Sequence, residues 1–192
     1  QRTLSKQERE EEKAITRLVE LSIEQKREDE PNPNSQQAKQ AALDHLIHKH
    51  QDSKEQRTEG WYTLMDITFG GSEQALIFGK SKYGHISDLV AKKAGLVAGM
   101  TGNIYTRWGT IMEKVTTRIM EICFDTKIQE FGAIMGPVPH QRCSPDGIMV
   151  ARLGGKWRLI LLEFKNPFIR IPDGTIPDDY IHQLRTGLCT IP

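Results

Sequence analysis

Arg152-Leu153-Gly154-Gly155-Lys156-Trp157 lies between two apolar, alternating runs. Adjacent glycines supply both positive-φ positions of a type I′ turn, whose twist suits a β-hairpin. If the loop is those two glycines alone, Leu153 faces Lys156 and pairing proceeds outward, setting Asp146 opposite Glu163. Cross-strand partners hold their Cβ atoms about 4.5–5.5 Å apart. Two carboxylates that close repel unless a cation lies between them. Hard divalent ions such as Mg²⁺ take one or two carboxylates together with water and phosphate oxygens.

The second strand, expected over Trp157 to Lys165, puts Trp157, Leu159, Leu161, Glu163 and Lys165 on one face. Arg158, Ile160, Leu162 and Phe164 take the other. Apolar residues on both faces mark a central strand. A Glu and a Lys at its end are therefore out of place, because unpaired charge is expensive to bury. Further strands are expected over Ile128 to Ile134 and Gly147 to Leu153.

Outward from the hairpin the pattern is helical. Met112, Val115, Ile119 and Ile122 would be the inward face of a helix from Thr106 to Phe124. Ser72 to Phe78 and Ser87 to Ala94 read as short helices, the second stopped by Gly95. A last helix begins near Pro177-Asp178 and carries Tyr180 and Gln183. Residues 4 to 29 read as a charged amphipathic helix, ended by Glu30-Pro31-Asn32-Pro33-Asn34. A second helix starts near Ser35, with Leu43, Leu46 and Ile47 on one face. The polar stretch from Gln51 to Glu59 is read as a boundary, giving a helical appendage over residues 1–52 and a main domain over 53–192. Helices, then a short run of strands, then a helix specify an α/β or α+β sandwich.

Of 192 residues, 38% are hydrophobic and 27% charged, and the net charge is +1. No global basic field draws the chain to nucleic acid, so any grip on it must be a local groove. No run approaches the roughly 20 apolar residues of a membrane span, and no secretory signal opens the chain. Cys123, Cys143 and Cys189 are odd in number and lack C-x-x-C spacing, which fits free thiols in a reducing compartment. Starting at Gln1 rather than Met, the sequence reads as a segment of a longer polypeptide.

Asp146 followed by Glu163-Phe164-Lys165 resembles the PD-(D/E)xK nuclease signature. Ser144-Pro145-Asp146-Gly147 with Leu162-Glu163-Phe164-Lys165-Asn166-Pro167 is similar, more narrowly, to the lambda exonuclease or YqaJ-type viral recombinase family. Arg57 with Trp61, Gly71-Ser72-Glu73, Arg107-Trp108-Gly109 with Glu113, and Tyr180 with Gln183 follow the family's order over about residues 57 to 187. The resemblance implies a restriction-endonuclease-like core, a small mixed β-sheet flanked by helices. It implies that Asp146, Glu163, Glu113 and the Phe164 carbonyl bind Mg²⁺, two ions in all, with Mn²⁺ able to substitute. Lys165 would orient or deprotonate the attacking water, and Gln183 would help position it. Ser72, Ser144, Arg57 and Arg107 would meet DNA or its 5′-phosphate. The family's arginine four residues after the tryptophan is replaced by Met65, which cannot hold an anion.

The resemblance further implies an intracellular setting, cytoplasm or nucleus, and a viral origin. Its implied partners are double-stranded DNA, a strand-annealing protein and two further copies in a trimer, with no membrane. Three functions stay open at this point. They are a 5′→3′ exonuclease in recombination or repair, an endonuclease or DNA/RNA nuclease of other polarity, and a binding module with a dead site.

Overall fold

A computed structural model describes residues 32–191 apart from 54–55 and 98–101, together with Lys13, Thr16, Arg17 and Glu20. The helix expected over residues 4 to 29 lies, those four positions aside, outside the described residues.

The Gly-Gly hairpin forms in the expected register. β4 (Gly147–Leu153) pairs antiparallel with β5 (Lys156–Leu162), from Leu153↔Lys156 at the turn to Gly147↔Leu162 at the open end. Gly154 and Gly155 have φ of 58° and 78°, as a type I′ turn requires. β5 ends at Leu162, three residues before the expected end at Lys165. Past that point a side chain replaces the strand carbonyl, since the Phe164 N–H donates to the Asp146 carboxylate.

Both faces of the hairpin are covered, as its two-sided apolar pattern requires. α1 (Gln36–Lys49) is started by Ser35, whose hydroxyl accepts from the Ala38 N–H. Its Leu43 and Leu46 are buried with Phe131, Ile134, Ile148 and Val150. This helix lies within the stretch read as an appendage, and it enters the core of the hairpin. On the opposite face Met149, Ala151 and Leu162 meet Met120 and Phe124 of α5 (Ile104–Phe124). Ile148 and Met149, each 1% exposed, face opposite ways along β4. Burial of such a side chain contributes about 1.5–3 kcal/mol.

α5 differs from expectation in its rotation. Val115, Ile119 and Ile122 are 43%, 52% and 65% exposed, so they do not form its inward face. Met120 and Phe124 do, along a stripe displaced around the helix. The helix carries two apolar stripes, and the buried one is that which also turns Glu113 and Thr116 toward the open end of the hairpin.

A second, three-stranded mixed sheet lies beside the hairpin. β1 (Phe69–Gly70) runs parallel to β3 (Gln141–Cys143), which pairs antiparallel with β2 (Ile134–Met135). The strand expected over Ile128 to Ile134 is thus reduced to its last residue and one more, with Gln129 making a single bridge to Ile148. Trp61 to Phe69, unassigned from the sequence, is mostly helix: α2 (Glu59–Ile67), whose first turn is capped by Thr58. Ser72 lies in a 3₁₀ turn (Gly71–Glu73) leading into α3 (Gln74–Ile77), and α4 (Ile86–Lys93) follows.

α6 (Asp178–Thr190) closes the fold, with Asp178 and Asp179 in its first turn complementing the helix dipole. It crosses β5 where Gly187 meets Leu161; a Cβ at Gly187 would lie 2.6 Å from Leu161 Cδ2. That close approach brings Gln183 over Gly71, to 3.3 Å from where a Cβ would stand. Among the described residues no helix is long and apolar enough to cross a membrane.

Candidate active site

Asp146 and Glu163 extend the hairpin ladder by one step at its open end, where the Asp146 N–H still donates to Leu162 O at 3.2 Å. Register alone therefore places the two acids opposite one another. Burial, then the neighbouring Glu163 carboxylate, then Glu113 push the Asp146 carboxyl up to about 7. The Phe164 N–H and Lys165 pull the other way and are outweighed. Lys165 Nζ lies 2.7 Å from Glu163 Oε1 and 5.0 Å from the centre of the Tyr180 ring. Thr116 on α5 donates to Asn166 Oδ1 at 2.9 Å and fixes the segment just beyond Lys165.

Asp146 stands at the wall between two cavities. One is a cleft of about 160 Å³ whose lining includes Ser72, Ser144, Glu163, Gln183, Met65 and Arg142. The other is shared with Glu113, Arg57 and Lys114. Arg57, itself at φ 67°, pairs with Glu113 at 2.8 Å on that second side. The structure thus unites Asp146, Glu163, Gln183, Ser72 and Ser144 in one cleft and joins Glu113 to it through Asp146. Arg107 is exposed on α5 and lines neither cavity.

Three contributions were not read from the sequence. Gln56 Nε2 donates to Phe131 O at 3.1 Å and Pro145 O at 3.2 Å, pinning the loop that presents Asp146. The Tyr180 ring backs the lysine. Arg142, 3% exposed, also lines the cleft. Only Arg142 had a usable signal: alternation puts residues 142, 144 and 146 on one side of an extended segment.

Among the described residues no three Asp, Glu, His or Cys side chains stand together as a finished metal site. The donor chemistry nevertheless fits a hard divalent cation: two opposed carboxylates, one of them raised by burial and by the charge of the other. Among the described residues no zinc-type thiolate or imidazole set lies there.

Comparison with known proteins supplies a family and a fold. The YqaJ-like viral recombinase domain family matches residues 52–190. Protein D345L of African swine fever virus (strain Badajoz 1971 Vero-adapted) is 26% identical, the match covering 78% of this chain and 50% of that protein. Its counterpart from isolate Tick/South Africa/Pretoriuskop Pr4/1996 is 27% identical over 73% of this chain and 48% of that protein. The chain thus spans about half the length of the curated relatives it matches. Among solved structures, an alkaline exonuclease (LHK-Exo) from Laribacter hongkongensis superposes with TM-score 0.54 at 22% identity, covering 69% of this chain and 68% of that one. The same enzyme in complex with dAMP gives TM-score 0.55 at 21% identity. These likenesses bear out the fold: the α/β, restriction-endonuclease-like core that the hairpin and its flanking helices were expected to form.

Proposed function

The chain belongs to the YqaJ-like viral recombinase domain family, and from that premise we propose that it is a Mg²⁺-dependent nuclease hydrolysing linear double-stranded DNA from its ends, in the 5′→3′ direction. One observation carries the reading: a two-glycine turn sets Asp146 against Glu163 in the wall of a cleft, and Lys165 lies 2.7 Å from the second acid. The name of the structural relative, an alkaline exonuclease, points the same way.

Hydrolysis of a phosphodiester needs concentrated positive charge on the phosphate, a positioned water and little else. Asp146, Glu163, the Phe164 carbonyl and, from the second cavity, Glu113 would hold the cations. Two Mg²⁺ ions, or Mn²⁺ in their place, would supply charge stabilisation to the entering and leaving oxygens. The chain's own part is positioning. The Phe164 N–H holds the Asp146 carboxylate in place. Glu163 and the Tyr180 ring hold the Lys165 ammonium, which orients the attacking water and offsets charge growing on the phosphate. Gln183 reaches the same cleft from α6 and offers an amide to the water.

Met65 favours a second reading, an endonuclease or a nuclease of other polarity, because α2 brings no cation to the cleft. The test offers linear duplex, circular duplex and RNA with Mg²⁺, Mn²⁺ or EDTA. Degradation of linear DNA alone, lost in EDTA and in Lys165→Ala, is expected. Cutting of circles would favour the second reading. Metal-independent cleavage, or full activity in Lys165→Ala, would overturn the assignment of the site.

A further inference from the structure

Asp146 and Glu113 line one cavity but come from different elements, the residue ahead of β4 and the first half of α5. The apolar contacts that seat α5 on the hairpin run through Met120 and Phe124, about two turns or more beyond Glu113. That packing fixes the axis of the helix, and not the aim of a carboxylate two turns away. Glu113, with its side chain 26% exposed, has several torsions to restrain before it can hold a ligand.

Two adjacent residues of the same cavity wall span the gap. Gln56 Nε2 donates to Pro145 O at 3.2 Å and to Phe131 O at 3.1 Å, gripping the residue next to Asp146. Arg57 Nη2 donates to Glu113 Oε2 at 2.8 Å. Between these two grips the backbone of Arg57 takes φ 67°, in the left-handed region, where a non-glycine residue is strained. The Arg57 side chain is 47% exposed, and an ion pair so open to water stabilises little. The pair does not outweigh the strain, so stability does not account for the arrangement. Aim does. The hydrogen bond engages Oε2, and Oε1 is left to face a cation, as in carboxylate ligands steadied by an outer partner.

We infer that Gln56-Arg57 is a strap setting the separation of Asp146 and Glu113, with Arg57 a positioning residue for the divalent cation those acids hold. This rests on the cation site of the nuclease reading and adds the residues that preassemble it. It turns Arg57 toward Glu113 instead of DNA. The sign of one effect separates a strap from a rival: a guanidinium that competed with the ion would weaken its binding, whereas one that aims the carboxylate strengthens it.

The experiment measures Mg²⁺ binding by calorimetry without DNA, and kcat and KM on linear duplex, with circular dichroism reporting the fold. The proteins are the wild type, R57N, R57K, Q56M, E113Q and R57N/E113Q. Asparagine tolerates positive φ, so R57N keeps the turn and removes the reach. R57N and Q56M should each weaken Mg²⁺ binding roughly tenfold and lower kcat, with KM within about twofold of wild type. R57K should recover part of the loss. In the E113Q background R57N should change nothing further, because Arg57 acts through that carboxylate. The same affinity changes without cleavage by any of the proteins would support the strap and overturn the nuclease reading. Wild-type affinity in a folded R57N or Q56M overturns the strap, as do losses that add in full in R57N/E113Q. Tighter binding in R57N overturns it too, by making Arg57 a rival of the ion. A raised KM at unchanged affinity overturns it by making Arg57 a DNA contact.

Discussion

Phe164 donates its backbone N–H to the Asp146 carboxylate, so the residue between Glu163 and Lys165 holds the acid that faces them. The E-x-K spacing thereby gains a physical reason. Alternation sends Glu163 and Lys165 to one side of the chain, and the amide between them is left free to anchor the opposite strand's carboxylate.

That anchoring does not relieve the charge on Asp146, whose carboxyl is pushed up to about 7 by burial and by Glu163. The unfolded chain would release the proton near 3.8. Between those values the folded state binds more protons than the unfolded one, so this group's contribution to stability falls as pH rises. Thermal melts in EDTA from pH 4.5 to 8.5 should show Asp146→Asn gaining on the wild type as pH rises toward about 7 and levelling off above it. Parallel melting curves for the two proteins across that range would remove this account of the carboxyl.

The same proton competes with metal. Below about 7 an ion must displace it, so Mg²⁺ affinity should climb roughly tenfold per pH unit and then level off. Calorimetric titration in buffers of different ionisation enthalpy counts the proton released. An affinity flat from pH 5.5 to 7 would show that no proton held on Asp146 competes with the ion.

The hairpin was legible because its register follows from two residues, Gly154 and Gly155, and local turn chemistry decides such a loop. Asp146 opposite Glu163 followed by counting. The rotation of α5 was not legible: its sequence offers two apolar stripes, and only tertiary packing chooses Met120 and Phe124 over Ile119 and Ile122. For Arg142 alternation gives the side of the chain but not the depth. Its burial depends on Thr68, Gly70 and Glu73, about seventy positions away along the chain and joined to it by a two-residue parallel pairing. A strand as short as Phe69–Gly70 leaves no periodicity to read.

Tyr180 offers a sharper test of the lysine's setting. Its ring centre lies 5.0 Å from Lys165 Nζ, within the reach of a cation–π contact of about 0.5–2 kcal/mol. Tyr180→Phe keeps the face of the ring and should cleave within about twofold of wild type. Tyr180→Leu removes the ring and should lose roughly two- to thirtyfold in kcat. Equal rates for the two variants would leave the ring with a packing role alone.

The turn itself can be separated from the chemistry it serves. Gly154→Asn keeps a residue tolerant of positive φ at the first turn position and should leave stability and cleavage close to wild type. Alanine at both Gly154 and Gly155 places two L-residues at φ near 58° and 78° and should cost about 1–2 kcal/mol per position. Yet it need not move Asp146, because the register would still be two-residue. Adding a third glycine between Gly154 and Gly155 is the decisive change. If the outer ladder slips by one residue to accommodate it, alternation turns Glu163 and Lys165 away from Asp146. Cleavage should then fall by more than a hundredfold while circular dichroism stays that of a folded α/β protein. Full activity in the insertion variant would show that helices α5 and α6, not the hairpin register, bring the acids together.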